Sequence, residues 1–289
     1  MSVDLPTRAR SSAALVIAGV LWGTGGLAGS LLGQRAGLHP LAVAAYRLLV
    51  GGGFATLFVL LNGGALPRTA QAAKRLLAVG ALFALFQASY FAAVSLSSVS
   101  IATMTTIGAA PVMVTLAGTR RPSRWTLGSL AGTLAGLVLL RWTPDEPAHL
   151  LAGLGLALLA AAGFATLTLI TAKPVLEPLS TTAFGCLVGG ILLTPVASWA
   201  GLALPLRVDV LALVCYLGAV PTALAYAAYL RGLATAHPVL GALSAVLEPL
   251  TAAVLSALLF GERLSVQAWC GAAVLVAALA VGYWRPEPA

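Results

Sequence analysis

The residue best placed to do chemistry is Glu248, which lies near the middle of the otherwise apolar run 239–259. A carboxylate at the centre of a bilayer costs roughly 2.5–3.5 kcal/mol on insertion scales, so we expect it to face protein or a water-filled cavity. Pro249 follows directly, and proline removes one backbone donor and disfavours helical geometry at the residue before it. An acid beside a helix break is typical of a polar site at membrane depth.

The sequence leaves three roles open for Glu248: a structural carboxylate held by a partner, a contact for a substrate amine, and a group that binds and releases protons. Arg47 lies about a third of the way into another apolar segment, 40–61, where a guanidinium must pair, snorkel or touch water. For Arg47 we expect a structural ion pair rather than a substrate contact. Glu248 is its candidate partner only if the two segments meet.

Aromatic and polar side chains inside apolar segments form a second group of candidates. Trp22 lies nine residues into its segment, too deep for an interfacial belt, and Gln87 shares a helical face with Tyr90, three residues on. Packing roles stay open, because membrane threonines usually bond their own backbone and buried tyrosines bond a neighbouring helix. The predicted cavity residues are Trp22, Thr24, Gln87, Tyr90, Thr103, Thr106, Thr166, Tyr226, Tyr229, Ser244 and Glu248.

Glycines and prolines inside the segments are candidate hinges. A glycine within a helix costs about 1 kcal/mol relative to alanine, and a proline leaves one carbonyl without its usual donor. Close helix packing is the alternative role for the glycines, because small residues let backbones approach. The predicted hinge or kink residues are Gly25, Gly26, Pro111, Pro221 and Pro249.

Other chemistries lack their residues. The sequence contains no HExxH or GxSxG motif and no histidine deep in an apolar segment, so an intramembrane enzyme is disfavoured. The three cysteines have no CxxC spacing, and we expect neither a metal site nor a cofactor. The net charge of +8 comes from basic residues in short loops, without the interleaved aromatics of a nucleic-acid-binding surface.

The elements that must position these residues are apolar helices. Sixty per cent of the 289 residues are hydrophobic and only 8% are charged, against about 25% charged in soluble domains. The composition predicts an all-α polytopic membrane protein embedded in the lipid bilayer. Ten segments of roughly spanning length are predicted: 13–33, 40–61, 75–96, 101–118, 125–141, 150–171, 180–200, 209–230, 238–259 and 265–284.

The basic residues predict the orientation of these segments. With the N-terminus inside and alternating sides, eleven of the sixteen basic residues fall inside and four outside, while Arg47 lies within a segment. This bias favours ten spans with both termini in the cytoplasm, in a cytoplasmic (inner) membrane.

The two halves of the chain are weakly repeated. Pro111 and Pro249 lie at similar depths, each about ten residues into its segment, and both halves contain intramembrane tyrosines. Because five is odd, two five-span halves must be inverted relative to each other, and inverted repeats place a binding site at their interface. We therefore expect two five-helix repeats, 1–145 and 146–289, around a central cavity.

Three motifs carry a family resemblance: Leu21-Trp22-Gly23, Glu248-Pro249 and Gly261-Glu262-Arg263. Set in ten spans, they resemble the EamA-type members of the drug/metabolite transporter superfamily. Within it, the sequence is most similar to the YddG-type exporters of aromatic and other amino acids. The resemblance implies a basket of ten helices and outward movement of small metabolites, and it extends to both five-helix repeats.

The expected function is export of small organic metabolites, with aromatic or neutral amino acids as the expected substrates. We expect a monomer that works by alternating access. We expect no ion coupling, because only one acid lies deep in a segment. The alternative is a proton-coupled efflux carrier for drugs or other metabolites. A channel is a third reading, which the predicted inverted repeat disfavours.

Overall fold

The structure is a computed structural model that describes residues 5–64, 68–97, 99–118, 122–141, 149–260 and 265–284. Within these ranges the regular secondary structure is helical, without a β-strand. An apolar chain in lipid must satisfy its backbone hydrogen bonds internally, and helices do so within each segment. The motif 261–263 and the boundary between the predicted repeats at residues 145 and 146 lie outside the described residues.

In the described part of the first half, five helices follow one another. They are α1 (Leu5–Ala36), α2 (Pro40–Leu61), α3 (Ala70–Leu96), α4 (Val99–Leu116) and α5 (Arg124–Arg141). Side chains cap the N-termini of α2, α3 and α5; Ser123 Oγ caps α5 by accepting the amide hydrogen of Thr126 at 3.2 Å. At the start of α2, His39 Nδ1 accepts the amide hydrogen of Leu41 at 3.2 Å. At the start of α3, Thr69 Oγ1 accepts the amide hydrogen of Ala72 at 3.2 Å.

The described part of the second half contains seven helices and one π-helical segment. They are α6 (Leu150–Thr171), α7 (Pro178–Trp199), α8 (Val208–Gly218), the π-helical segment Ala219–Leu224, α9 (Ala225–Leu233), α10 (Pro238–Ser244), α11 (Leu247–Phe260) and α12 (Val266–Trp284). Helices α8 and α9 join through the π-helical segment into one run, Val208–Leu233. Only two residues separate α10 from α11.

Helix is present at each of the ten predicted segments. Among the described residues, eight helices are long and apolar enough to cross a membrane, which makes the chain a polytopic membrane protein. The fourth and fifth segments form shorter apolar helices, Ile101–Leu116 and Arg124–Leu140. The count of ten spans therefore stays a prediction.

The π-helical segment follows from a proline. Pro221 has no N–H to donate to the carbonyl of Leu217, four residues earlier, so this carbonyl needs another donor. Thr222 Oγ1 supplies it at 2.8 Å. The helix widens over one turn at this point, and π-turns of this kind are frequent at functional sites.

The break between α10 and α11 also follows from a proline. Pro249 lies in the first turn of α11, where its missing N–H removes no bond that the helix needs. The carbonyl of Ala245, four residues earlier, accepts the amide hydrogen of Glu248 at 3.0 Å instead. The break therefore precedes the Glu-Pro pair and leaves Glu248 at a helix N-terminus.

The helices pack in pairs that recur between the two halves. Helix α2 packs along α7, and α5 packs along α12. Helix α3 lies against α6, and α1 lies in the same way against the run from α8 to α9. Helix α4 also contacts α6, and α11 contacts α1. Large apolar side chains such as Leu57, Leu77 and Ile191 remain exposed on the outer faces, as a surface in lipid requires.

Glycines allow the closest of these approaches. A Cβ atom on Gly271 of α12 would lie 2.5 Å from the backbone nitrogen of Leu140 and 2.8 Å from the carbonyl oxygen of Gly136, both on α5. A Cβ atom on Gly128, also on α5, would meet nothing within 4 Å. The contact between α5 and α12 therefore depends on Gly271 and not on Gly128.

This contact gives a stability prediction. Gly271→Ala should destabilise the protein by about 1–3 kcal/mol, because the added methyl group meets backbone atoms that cannot rotate away. Gly128→Ala is the matched control, and we expect no loss of stability from it because its methyl group enters open space. The measurement is the thermal unfolding midpoint in detergent; equal midpoints for the two variants would contradict the packing.

Candidate functional site

A cavity of about 540 Å³ enters the helix bundle at the end where α1 and α2 join. It reaches inward along α1, α2, α3 and α4 as far as α8 and α11. Its wall combines glycines, apolar side chains and a few polar groups. The wall includes Gly25, Gly26, Ser30, Gln34, Arg47, Tyr90, Phe91, Thr103, Glu248 and Pro249.

A smaller chamber of about 50 Å³ lies deeper in the bundle. We call it the aromatic chamber and define it by its wall: Trp22, Arg47, Phe86, Gln87, Tyr90, Thr106, Ile107, Phe164, Tyr226, Ala245 and Glu248. Arg47, Tyr90 and Glu248 belong to both walls and therefore lie where the cavity and the chamber meet. The two charged side chains deep in the bundle thus reach the same enclosed space.

Glu248 lies in the first turn of α11, where the positive end of the helix dipole favours a carboxylate. Within the described part of the chain, the carboxylate accepts no hydrogen bond and has no basic nitrogen within 4.0 Å. Arg47 lines the same two walls. The carboxylate is therefore stabilised by the helix terminus, and its oxygens have no partner among the described residues.

Arg47 is anchored on the π-helical segment. Its Nε donates to Thr222 Oγ1 at 3.3 Å, and its Nη2 donates to the carbonyl oxygen of Pro221 at 3.5 Å. The expected structural role thus takes the form of hydrogen bonds; in the described residues, Arg47 has no ion pair. Both bonds are long and lie on one side of the guanidinium, so this cation keeps donors for another partner.

Aromatic rings close the deep side of the chamber. The ring centroid of Trp22 lies 5.1 Å from that of Tyr226 and 5.0 Å from that of Tyr229. Phe164 stacks on Tyr229 at 5.7 Å, and Phe83 meets Tyr226 edge to face at 4.7 Å. These residues bury almost completely, so the rings form a continuous plug between the chamber and the opposite end of the bundle.

Hydrogen bonds tie helices together at that opposite end. Ser11 bonds Thr235, which joins α1 to the connection after α9. Arg75 of α3 donates to the carbonyl oxygens of Ile170 and, at 2.8 Å, Lys173 at the end of α6. These bonds hold helices together at that end, whereas the cavity opens at the end between α1 and α2.

Seven of the predicted cavity residues come together in the two walls. They are Trp22, Gln87, Tyr90, Thr103, Thr106, Tyr226 and Glu248. Tyr90 and Thr103 share a hydrogen bond of 2.7 Å between their hydroxyls. Thr106 donates to the carbonyl oxygen of Ala157 at 3.1 Å, which ties α4 to α6.

The other four predicted residues line neither wall. Thr24 donates to the carbonyl oxygen of Leu21, and Ser244 donates to that of Gly241, each at 2.7 Å. Tyr229 is fully buried, and its hydroxyl bonds Thr168 at 2.7 Å. Thr166 is exposed, because it lies two residues from the inward-facing Thr168 on α6. Thr24, Ser244 and Tyr229 therefore have packing surroundings, whereas Thr166 is exposed away from both walls.

The predicted hinge residues are distributed over the site. Gly25, Gly26 and Pro249 line the cavity, and a Cβ atom on Gly25 would lie 2.8 Å from the Pro221 ring. Helix α1 nevertheless continues without a break through its glycines, and α4 continues through Pro111. The changes in helix geometry occur in the π-helical segment and between α10 and α11.

Sequence reasoning missed two aromatic residues of the chamber wall, Phe86 and Phe164. Phe86 precedes Tyr90 by four residues, so the helical spacing could have placed it on the same face. Phe164 lies in a run of small and apolar residues, and Thr168, four residues on, could have indicated its face. In the part of the chain that the structure describes, no three His, Cys, Asp or Glu side chains are grouped to hold a metal ion.

Comparisons with known proteins place this arrangement in context. Residues 151–284 match the model of the EamA-like transporter family. The chain is 32% identical over 279 residues to the protein described as "Uncharacterized transporter YwfM" from Bacillus subtilis (strain 168), covering 92% of this chain and 91% of the relative. A solved crystal structure with 20% sequence identity has a TM-score of 0.80 over 94% of this chain and 96% of its own, which supports the overall fold.

The cavity gives a labelling prediction. In a background without the exposed Cys215 and Cys270, Ser30→Cys should react within minutes with a charged thiol reagent that does not cross membranes, because Ser30 is exposed in the cavity wall. Ser244→Cys is the matched control and should stay unmodified, because this side chain is fully buried. Labelling is measured by mass spectrometry. Equal labelling rates for the two variants would contradict an aqueous cavity at Ser30.

Proposed function

The chain belongs to the EamA-like transporter family of the drug/metabolite transporter superfamily, and from this premise we propose that it exports neutral amino acids, aromatic ones included, by facilitated alternating access. The observation that carries the proposal is the meeting of Arg47 and Glu248 at one cavity without a direct ion pair in the described residues. The family match and the relative's description as a transporter favour transport over enzymatic catalysis.

A zwitterion complements this charge arrangement. A carboxylate on the substrate would find the guanidinium of Arg47, and an ammonium group would find Glu248, each through charge-assisted hydrogen bonds. An anion or a cation would leave one of the two buried charges without a partner, which is costly in a low-dielectric site. The cavity of about 540 Å³ is large enough for an amino acid, because small-molecule sites span roughly 300–1,000 Å³.

The aromatic and apolar walls support a neutral side chain on the substrate. Phe86, Phe164 and Tyr226 offer ring faces and edges, and Ile107 and Ala245 add aliphatic surface. Arg47 and Glu248 are the charged residues in the two walls. In this proposal Arg47 binds the substrate's α-carboxylate and Glu248 binds its α-ammonium group. A charged side chain would therefore lack a counter-ion there.

Alternating access is supported by the unequal ends of the bundle. The cavity reaches the end where α1 joins α2, whereas the aromatic plug and the bonds of Ser11 and Arg75 close the other end. With the N-terminus inside, as the basic residues predict, the structure is open to the outside and closed to the cytoplasm. We propose that breaking the inner bonds and closing the cavity gives the opposite state.

The recurring helix pairs support two inverted five-helix repeats. If residues 1–145 and 146–289 are equivalent, then α2 exchanges with α7 and α5 exchanges with α12, and each of these pairs is in direct contact. The contact of α3 with α6 likewise exchanges with that of the α8–α9 run with α1. This pattern is expected for a twofold axis in the membrane plane that relates ten spans.

The proposed setting follows from the distribution of charge. Both termini lie in the cytoplasm if the inside excess of lysine and arginine sets the orientation, and the membrane is then the cytoplasmic (inner) membrane. The cavity lies within a single chain, so a monomer suffices for transport. The substrate and the lipid bilayer are the proposed partners, with no nucleic acid, metal or cofactor.

One observation favours the alternative of a proton-coupled drug or metabolite carrier. Glu248 has no hydrogen-bond partner for its carboxylate among the described residues, and such an acid at membrane depth is suited to proton exchange. The presence of Arg47 at the same cavity favours the zwitterion reading, because the guanidinium offers a partner for a substrate carboxylate beside the acid.

Transport by purified protein in liposomes tests the proposed function. We expect saturable counterflow of neutral amino acids without a pH gradient, because a carrier exchanges labelled for unlabelled substrate. The decarboxylated amine and the deaminated acid of the same side chain should compete at least about tenfold more weakly, since each leaves one charge unpaired. Movement of cations alone, dependent on a proton gradient, would replace this proposal by the alternative.

Glu248→Gln tests the role of the carboxylate. It should weaken amino-acid binding by about tenfold or more, because a charge-assisted hydrogen bond to the ammonium group is lost. The matched control is Glu177→Gln, at the start of α7, whose side chain caps no helix and lines neither wall. The measurement is the concentration for half-maximal counterflow. If Glu248→Gln instead abolishes a dependence on the pH gradient, Glu248 is a coupling group.

A further inference from the structure

Two buried donors of the aromatic chamber have no acceptor in the part of the chain that the structure describes. Trp22 Nε1 and Gln87 Nε2 make no hydrogen bond with any described residue. The two side chains are 4% and 1% exposed, and both line the chamber. An indole N–H can only donate, so the requirement for an acceptor does not depend on which way the Gln87 amide is turned.

The donors stand out against their surroundings. Two other polar members of the same wall have partners: Tyr90 bonds Thr103, and Thr106 bonds the backbone of α6. Buried donors without partners are rare in folded proteins, and each needs a physical reason. Here both donors line the chamber, close to the place where Arg47 and Glu248 join it to the larger cavity.

The size of the chamber limits what can fill it. A volume of about 50 Å³ corresponds to roughly three to five water-sized spheres, which is the size of a short side chain of three or four non-hydrogen atoms. Arg47 and Glu248 lie at its entrance and would hold the substrate's backbone groups there. The side chain then points to Trp22 and Gln87, while an aromatic side chain would need the larger cavity.

We propose, on the basis of the proposed amino-acid transport, that the aromatic chamber is a side-chain subsite in which Trp22 and Gln87 select short uncharged side chains that end in a hydrogen-bond acceptor. Hydroxyl and carboxamide side chains meet this description. Purely aliphatic side chains of the same size leave both donors buried without a partner. A site built to bond a polar group discriminates strongly against the analogue that lacks it.

Isosteric substrates test the subsite in the unmodified protein. Threonine and valine have nearly the same shape, as have asparagine and leucine, and each pair differs in the acceptor. In liposome counterflow, we expect half-maximal transport of threonine and asparagine at concentrations about tenfold lower than those for valine and leucine. Equal concentrations within each pair would overturn the subsite.

Two variants assign the preference to the donors. Gln87→Leu keeps a similar volume without a donor, and Trp22→Phe keeps a ring without the N–H. Each should move the threonine-to-valine ratio towards one, chiefly by weakening threonine transport. The matched control is Gln71→Leu, an exposed position on the same helix α3, which should leave the ratio unchanged.

The outcomes separate this inference from the proposed function. Saturable amino-acid transport with equal losses for threonine and valine in both variants would overturn the subsite and assign the residues to packing. Absence of saturable transport of any amino acid by the unmodified protein would overturn the proposed function and this inference together. If Gln87→Leu does not fold, as judged by thermal unfolding, Trp22→Phe and the isosteric pairs still decide the result.

Discussion

Every backbone polar group inside a bilayer must find a partner within the protein, and the rest of this structure depends on how two prolines meet that demand. Pro221 leaves the carbonyl of Leu217 to the hydroxyl of Thr222, and the helix widens into a π-turn. Pro249 occupies the first turn of α11, so its missing N–H takes no bond from the helix. The same breaks prepare the site: the π-turn anchors Arg47, and the new helix terminus favours the charge of Glu248.

The proposed selectivity of the site rests on charges and donors that have no partner among the described residues. In the described residues, Arg47 and Glu248 reach the same cavity without an ion pair, and Trp22 and Gln87 keep donors without acceptors. Unpaired polar groups in a low-dielectric interior are costly, so they gain most from a ligand that pairs all of them. Aromatic rings pack around these groups and give the chamber an apolar wall.

The helix packing connects this site to movement. The close pairs α2–α7 and α5–α12 join the two halves, and a glycine such as Gly271 lets the backbones approach directly. By contrast, the end closed by Ser11 and Arg75 is held by a few hydrogen bonds between helices. Packing over whole helices is hard to change, whereas a few hydrogen bonds at a helix end can exchange partners. The proposed alternation of access therefore occurs at the ends, around fixed helix pairs.

The sequence by itself determined the class of protein and placed a helical segment wherever the structure has one of its long helices, and it singled out Glu248 as a candidate site residue. Hydrophobic length and the cost of a buried charge are local properties that one segment reveals. Only the tertiary structure decided which polar residues share a cavity: it brought Arg47 to Glu248 from distant segments and left Thr166 exposed. It also placed Phe164 in the chamber wall. The helices of a membrane protein are apolar on both their lipid-facing and their buried sides, so hydrophobic periodicity does not tell these sides apart, and only helix packing does.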